Sequence, residues 1–301
     1  MSLQAEAPST SLPVPWTLAS DFAALAKPRI VAFVALSTLV GFVLGAGGTL
    51  RLGVLIPTLI GTAMVAAGTA TLNQFVERRL DARMQRTAGR PLPAGRLGEE
   101  EAHCFGVLLS ISGIFYLGLC VSLLTGLTAA VTLGIYLFLY TPLKRRTPFN
   151  TAVGAVAGAL PPVGGWVAAT GGFDAGAWAL FGILFVWQFP HVLAITWLHR
   201  EDYARGGFRM LAVADPEGRR TALRVVVYTL ILIPVSLLPT SMGVTGPVYG
   251  IVALLAGLTF LGFGVRFLLD RTPRRARLLI LASLVYLPTL WLVMLFERML
   301  G

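Results

Sequence analysis

Between Arg224 and Arg266 the chain reads VVVYTLILIPVSLLPTSMGVTGPVYGIVALLAGLTFLGFGV, without one charged side chain. A helix that crosses a bilayer needs about 20 mainly apolar residues, so this run is too long for one helix and long enough for two. Its middle, from Pro239 to Pro247, contains two prolines and two glycines, which are typical of a turn. The run therefore predicts a hairpin of two membrane-spanning helices.

The rest of the chain repeats this pattern. Apolar residues make up 56% of the 301 residues and charged residues only 13%, which excludes an ordinary soluble domain. A second long uncharged run, 102–143, contains a turn signal at 124–126 and predicts another hairpin. The other uncharged runs fit one span each: 30–50, 52–76, 147–173, 175–199 and 278–296. The predicted fold is an all-α integral membrane protein with nine transmembrane helices around a cavity open to the cytoplasmic side.

The placement of positive charge supports this topology. The net charge is +10, but all of the 24 Lys and Arg residues except Arg51 and Arg298 fall on one side of a nine-span chain. Cytoplasmic loops carry such an excess, so we expect a lipid bilayer and no nucleic acid as the partner. The N-terminus is then cytoplasmic and the C-terminus outside. We expect residues 1–26 to form a flexible cytoplasmic tail, residues 27–301 to form a single domain, and the Arg-poor start to indicate a bacterial inner membrane.

A stripe of polar residues lies at the end of the helix that the run 52–76 predicts. At 100° per residue on a helix, Asn73, Glu77 and Asp81 lie at about 0, 40 and 80° and share one face. Two carboxylates and an amide suit Mg²⁺, which takes one or two carboxylates together with substrate phosphates. The alternative is a solvated helix end whose acids pair with neighbouring arginines.

Arginines follow this stripe closely. Arg86 and Arg90 lie in a segment without apolar periodicity, and arginine binds phosphate through paired hydrogen bonds. Tyr140 and Lys144 stand at the inner end of the predicted fourth span. They are site candidates, although the positive-inside rule alone would also explain the lysine.

A second group of ionisable residues follows the sixth span. On a continuous helix His191, His199 and Asp202 would lie at about 0, 80 and 20° and share a face. Ionisable residues this close to a membrane are functional candidates. Asp202, beside Tyr203, is interpreted as a second metal-binding acid. His191 is interpreted either as a site residue or as a packing histidine.

Together these groups indicate a particular kind of substrate. Two acidic regions at the cytoplasmic ends of spans, with basic and aromatic neighbours, suit an anionic diphosphate bridged by Mg²⁺, with its apolar tail between the helices. Metal and arginine would stabilise the departing diphosphate. The tail would then become an allylic cation, which an electron-rich acceptor attacks.

The motifs also resemble a known family. Asn73-x3-Glu77-x3-Asp81, the arginine-containing run 84–93 and Tyr140-x3-Lys144 are similar to motifs of the UbiA superfamily of intramembrane prenyltransferases. The stretches 27–30, 144–150, 158–166 and 190–211 resemble most the members that farnesylate haem. The resemblance covers about residues 21–296.

The resemblance implies Mg²⁺-dependent transfer of farnesyl from farnesyl diphosphate to a vinyl group of haem B, followed by addition of water. It also implies handover of the product to a haem A synthase or a terminal oxidase assembly. The metal and diphosphate would be served by Asn73, Glu77, Asp81 and Asp202. The phosphate oxygens would be held by Arg86, Arg90, Lys144 and Arg145. Two departures from the family pattern, Arg79 and Arg209, fall outside the proposed metal ligands.

The sequence leaves two other functions as alternatives. One is prenylation of an aromatic quinone precursor by the same machinery; such relatives usually carry Asp at the position of Glu77 and paired aspartates where this chain has His191 and Asp202. The other is transport of a lipid anion, which predicts ion sites at the bilayer midplane. The acids of this chain cluster at one surface instead, which favours the enzyme.

Overall fold

The structure is a computed structural model that describes residues 15–300, and within them every regular element is a helix. The helices are α1 (Pro15–Ala26), α2 (Pro28–Gly45), α3 (Leu52–Asp81), α4 (Glu99–Cys120), α5 (Leu123–Gly134), a π-helical turn (Ile135–Tyr140), α6 (Thr141–Leu143), α7 (Asn150–Thr170), α8 (Ala175–Leu198), α9 (Arg200–Arg205), α10 (Arg219–Ser241), α11 (Pro247–Leu269) and α12 (Pro273–Leu300).

The predicted number of spans is confirmed. Within residues 15–300 nine helical segments are long and apolar enough to cross a membrane, and α5, the π-helical turn and α6 together form one of them, Leu123–Leu143. The turn in the run 102–143 lies slightly earlier than predicted, at Val121 and Ser122. Ser122 caps α5, since its Oγ accepts the Thr125 amide at 3.1 Å.

The expected flexible tail is a helix over residues 15–26, and residues 1–14 lie outside the described part of the chain. Leu25 of α1 is fully buried, and its carbonyl accepts a hydrogen bond from Gln74 Nε2 of α3 at 2.7 Å. Arg96 forms an ion pair with Asp21 at 3.0 Å. Burial of an apolar side chain and these polar contacts offset the entropy of ordering the segment, which composition alone did not reveal.

Small residues let the central spans approach closely. A Cβ at Gly165 of α7 would collide with the Thr38 carbonyl of α2, and one at Gly41 of α2 would collide with the Pro162 carbonyl of α7. Glycine at these positions therefore allows α2 and α7 to pack in close contact. The largest buried cluster fills the space among α7, α8 and α10–α12, around Trp187 and Trp291. The space bordered by α2, α3, α5 and α7 remains open and contains the site.

Candidate active site

A polar cavity of about 140 Å³ lies at the end of α3. Asn73, Glu77 and Asp81 all line it, so the predicted shared face is confirmed. Helix α3 continues to Asp81 because its last three turns contain no Gly or Pro, and the acids therefore remain in helical register. The three side chains are buried, unlike those of a solvated helix end.

Glu77 pairs with the lysine of the fourth span. Lys144 Nζ donates to Glu77 Oε1 at 2.8 Å and to Oε2 at 3.1 Å, and both residues are buried. The ammonium also lies 4.5 Å from the centre of the Tyr140 ring. Burial would lower the pKa of Lys144, but the neighbouring Tyr140 oxygen and the Glu77 carboxylate outweigh it and raise this pKa. Lys144 therefore stays charged in the cavity.

Asp81 holds the arginine-rich loop in place. Arg90 Nη1 lies 2.6 Å from Asp81 Oδ2, and Thr87 Oγ1 donates to the Asp81 carbonyl at 2.8 Å. The loop thus folds back over the end of α3, and both Arg86 and Arg90 line the polar cavity. The Arg86 guanidinium lies 5.7 Å from the centre of the ring of Tyr203, another lining residue.

Asn73 is oriented by the π-helical turn. Its Nδ2 donates to Thr141 Oγ1 at 3.2 Å, and Thr141 Oγ1 donates to the Tyr136 carbonyl at 2.9 Å. The wider turn brings the rings of Tyr136 and Tyr140 to 5.0 Å, edge to face. π-Helical turns are frequent at functional sites, and this one supplies two tyrosines to the same cavity.

Asp202 is not among the lining residues of the polar cavity, although its neighbour Tyr203 is. The predicted continuous helix is wrong, because α8 ends at Leu198 and Asp202 belongs to the separate helix α9. Its carboxylate accepts the Gln85 amide at 2.9 Å and the Arg86 amide at 3.1 Å, and pairs with Arg205. Although burial opposes it, these hydrogen bonds hold the pKa of Asp202 below its usual value. Asp202 therefore anchors the arginine loop, whose Arg86 lines the polar cavity.

Three other candidates also lie outside the polar cavity. His191 Nδ1 is 2.7 Å from Ser283 Oγ of α12, and its ring stacks on Trp187 at 4.8 Å between centres. His199 is half-buried where α8 ends, and burial together with the charge of Arg86 lowers its pKa. Arg145 is exposed. These positions favour the packing interpretation of His191.

A larger, mainly apolar cavity of about 340 Å³ adjoins the polar one. Lys27, Tyr136 and Tyr140 line both, so they form the junction between the two cavities. Beyond the junction the walls are formed mostly by apolar side chains, alanines, glycines and threonines of α2, α3, α5, α7 and α8. The arrangement combines a cationic compartment for a polar head with an apolar compartment for a tail.

The sequence profile of the UbiA prenyltransferase family matches residues 34–294. The chain belongs to this family. It is 49% identical over 287 residues to a protein named protoheme IX farnesyltransferase from Solibacter usitatus, covering 92% of this chain and 98% of that protein. A protein of the same name from Salinibacter ruber is 45% identical over 90% of this chain and 95% of its own length.

Solved structures show that the UbiA fold is shared at low sequence identity. A digeranylgeranylglyceryl phosphate synthase structure has a TM-score of 0.78 at 14% identity and covers 94% of this chain and 99% of that one. A UbiA homologue from Archaeoglobus fulgidus bound to GPP and Mg²⁺ has a TM-score of 0.68 at 16% identity, covering 93% of this chain and 100% of that one.

Two junction residues of this UbiA-family chain were absent from the predicted site. Lys27 precedes the first span in a left-handed conformation, with φ 52°. Burial, and then the charges of Arg90 and Lys144, lower the pKa of Lys27 to about 8. Lys27 stands next to Pro28 and just before the uncharged run 30–50. This position at the start of the first span is a sequence signal from which a site role for Lys27 could be predicted. Tyr136 lies four residues before Tyr140, but the π-helical geometry that places both on one wall has no sequence signature of that kind.

The residues of the polar cavity fit a magnesium ion that is shared with a diphosphate. Within the described residues no cluster of three or more His, Cys, Asp or Glu side chains could hold a metal. Asn73, Glu77 and Asp81 instead offer a small set of oxygen ligands on one wall. Mg²⁺ is usually held by one or two carboxylates with substrate phosphates completing its shell, so this limited set suits it.

Proposed function

We propose that the protein transfers the farnesyl group of farnesyl diphosphate to a vinyl group of haem B, giving haem O and diphosphate. One observation carries the proposal: the cationic cavity and the apolar cavity meet at Lys27, Tyr136 and Tyr140. A prenyl diphosphate has the same division, with a charged head joined to an apolar tail. The bond that breaks joins these two parts and would lie at the junction.

The cationic side chains of the polar cavity would bind the departing diphosphate. Arg86, Arg90, Lys144 and Lys27 line this cavity, and charge that is fixed before reaction stabilises a leaving group without reorganisation. Asn73, Glu77 and Asp81 would hold Mg²⁺, which would neutralise phosphate oxygens when bound. Glu77 pairs with Lys144, and Asp81 pairs with Arg90. When Mg²⁺ and diphosphate bind, the two carboxylates would contact the metal, and the lysine and the arginine would contact phosphate oxygens.

Farnesyl transfer would begin with the loss of diphosphate. The bond from farnesyl C1 to the diphosphate oxygen breaks, and both electrons leave with the oxygen. The vinyl π-electrons of haem then form the new bond to C1, which leaves a cation beside the porphyrin ring. Water adds to this carbon and loses a proton, giving a hydroxyl group. The rings of Tyr136 and Tyr140 at the junction would shield and stabilise the allylic cation through their π-faces.

The acceptor is inferred from the relatives that are named protoheme IX farnesyltransferase and match nearly their whole length. The nine candidate spans make the chain a multi-pass membrane protein. We infer a bacterial inner membrane, with the N-terminus and the polar cavity on the cytoplasmic side, from the side on which Lys and Arg concentrate. We further propose that residues 27–301 act as one domain and that haem O passes to a haem A synthase or terminal oxidase assembly.

Direct assay tests this function. The purified protein is incubated with haem B, farnesyl diphosphate and Mg²⁺, and the porphyrin products are identified by mass. The expected product is haem O with release of diphosphate. Parallel reactions replace haem B with 4-hydroxybenzoate as a quinone precursor. A prenylated benzoate without any haem product would overturn the proposed acceptor.

A further inference from the structure

One buried leucine lines the apolar cavity where three helices meet. Leu117 of α4 is fully buried and is the one residue of α4 among the lining residues of this cavity. A Cβ at Gly61 of α3 would lie 2.6 Å from Leu117 Cγ. One at Gly126 of α5 would lie 3.0 Å from the Gly118 backbone. Helices α3, α4 and α5 therefore meet tightly around Leu117, which leaves little space between them there.

The distance from Asn73 to the level of Leu117 follows from the number of residues along α3. Thr62, which lines the cavity next to Gly61, precedes Asn73 by 11 residues on the same helix. At about 1.5 Å per residue the two positions are about 16 Å apart. Thr125 precedes Tyr136 by the same number of residues along the opposite wall, which gives a similar depth.

An extended farnesyl chain is about 14 Å long, given carbon–carbon bonds of about 1.5 Å. Each further isoprene unit adds about 5 Å on the same basis. Farnesyl therefore fits between the junction and Leu117, whereas a geranylgeranyl chain would run into Leu117.

We propose that Leu117 is the residue that limits the length of the prenyl chain, by closing the apolar cavity at a depth that suits three isoprene units. The inference rests on the proposed function for the identity of the diphosphate substrate. Leu117 is a positioning and specificity residue, remote from the bond that breaks.

Binding measurements test the inference separately from haem chemistry. The probes are the non-hydrolysable thiolodiphosphates of geraniol, farnesol and geranylgeraniol, titrated calorimetrically into detergent-solubilised protein with Mg²⁺. The wild type should bind the farnesyl probe about tenfold or more tighter than the geranylgeranyl probe. Leu117→Ala should remove that preference, because it opens space towards Gly61. Leu119→Ala is the matched control, since Leu119 is 84% exposed on the same helix, and it should keep the preference.

A second variant keeps the test decisive if Leu117→Ala does not fold. Ala66 lines the cavity one helical turn nearer the junction than Thr62, so Ala66→Phe should shorten the cavity by about 5.4 Å. The preferred probe should then become geranyl. A wild type that binds the geranylgeranyl probe as tightly as the farnesyl probe, or an Ala66→Phe variant with unchanged preference, would overturn the inference. Correct probe selectivity without any haem product would instead overturn the proposed function alone.

Discussion

Lys144 Nζ lies 2.8 Å from Glu77 Oε1, and this buried ion pair joins the second span to the fourth. The pair has two consequences. Glu77 cannot be treated only as a candidate metal ligand, because it also neutralises a buried ammonium. Removing one member of a buried pair leaves an uncompensated charge, which typically costs about 3–5 kcal/mol.

Glu77→Gln should therefore abolish farnesyl transfer and also destabilise the protein. The double variant Glu77→Gln with Lys144→Met should recover much of the lost thermal stability, because no buried charge is left unpaired, while activity stays absent. Thermal unfolding in detergent and product mass measure the two effects. Equal melting temperatures for the wild type and the Glu77→Gln variant would contradict the structural role of the pair.

Arg90→Lys should weaken diphosphate binding. Arg90 pairs with Asp81 and lines the polar cavity, and a lysine cannot reproduce the paired hydrogen bonds of a guanidinium. We expect the KM for farnesyl diphosphate to rise about tenfold, equivalent to about 1.4 kcal/mol. Arg146→Lys, at an exposed position, is the control. A KM that is the same in both variants would exclude Arg90 from the diphosphate site.

The Asp202→Asn variant distinguishes between two roles of Asp202, as an anchor of the arginine loop and as a metal ligand. Because Asp202 accepts the Gln85 and Arg86 amides, its loss should loosen the arginine loop and raise the KM for farnesyl diphosphate. The Mg²⁺ concentration for half-maximal rate should change little. Steady-state kinetics at varied Mg²⁺ measure both quantities. A large increase in the required Mg²⁺ with an unaltered KM would instead identify Asp202 as a metal ligand.

Lys27 gives the site a dependence on pH. Its pKa is lowered to about 8, so the ammonium is charged below that pH and is lost as the pH rises through it. Affinity for the farnesyl thiolodiphosphate should fall above about pH 8 in the wild type. Lys27→Arg should bind without this decline, since a guanidinium stays charged. Identical pH profiles for the two proteins would show that Lys27 does not contribute its charge to binding.

His191→Ala should lower the melting temperature of the protein and leave the absorption spectrum of bound haem unaltered. His191 contacts Ser283 and stacks on Trp187, so its loss removes one hydrogen bond worth about 1 kcal/mol and a ring contact. Ser283→Ala should lower the melting temperature similarly. A shift of the Soret band of bound haem in the His191→Ala variant alone would instead identify His191 as a haem-contacting residue.

The sequence by itself determined the number of spans and the polar stripe. In lipid, the backbone N–H and C=O groups of an uncharged run of about 20 residues need hydrogen-bond partners within the protein, and a helix supplies all of them within the run. The nine spans were therefore predicted correctly. The stripe of Asn73, Glu77 and Asp81 followed from helical geometry alone, since all three belong to α3. Local periodicity is sufficient for both features because neither depends on contacts between distant segments.

Only the tertiary structure decided which residues meet. Beyond the break after Leu198, the Asp202 carboxylate accepts the sequence-distant amides of Gln85 and Arg86 and so anchors the arginine loop. Packing of α1 against α3 orders residues that composition assigned to a flexible tail. The junction of the two cavities at Lys27, Tyr136 and Tyr140 arises from separate parts of the chain. Contacts of this kind depend on how helices pack against each other and on where each helix ends. The periodicity of residues within one helix predicts neither.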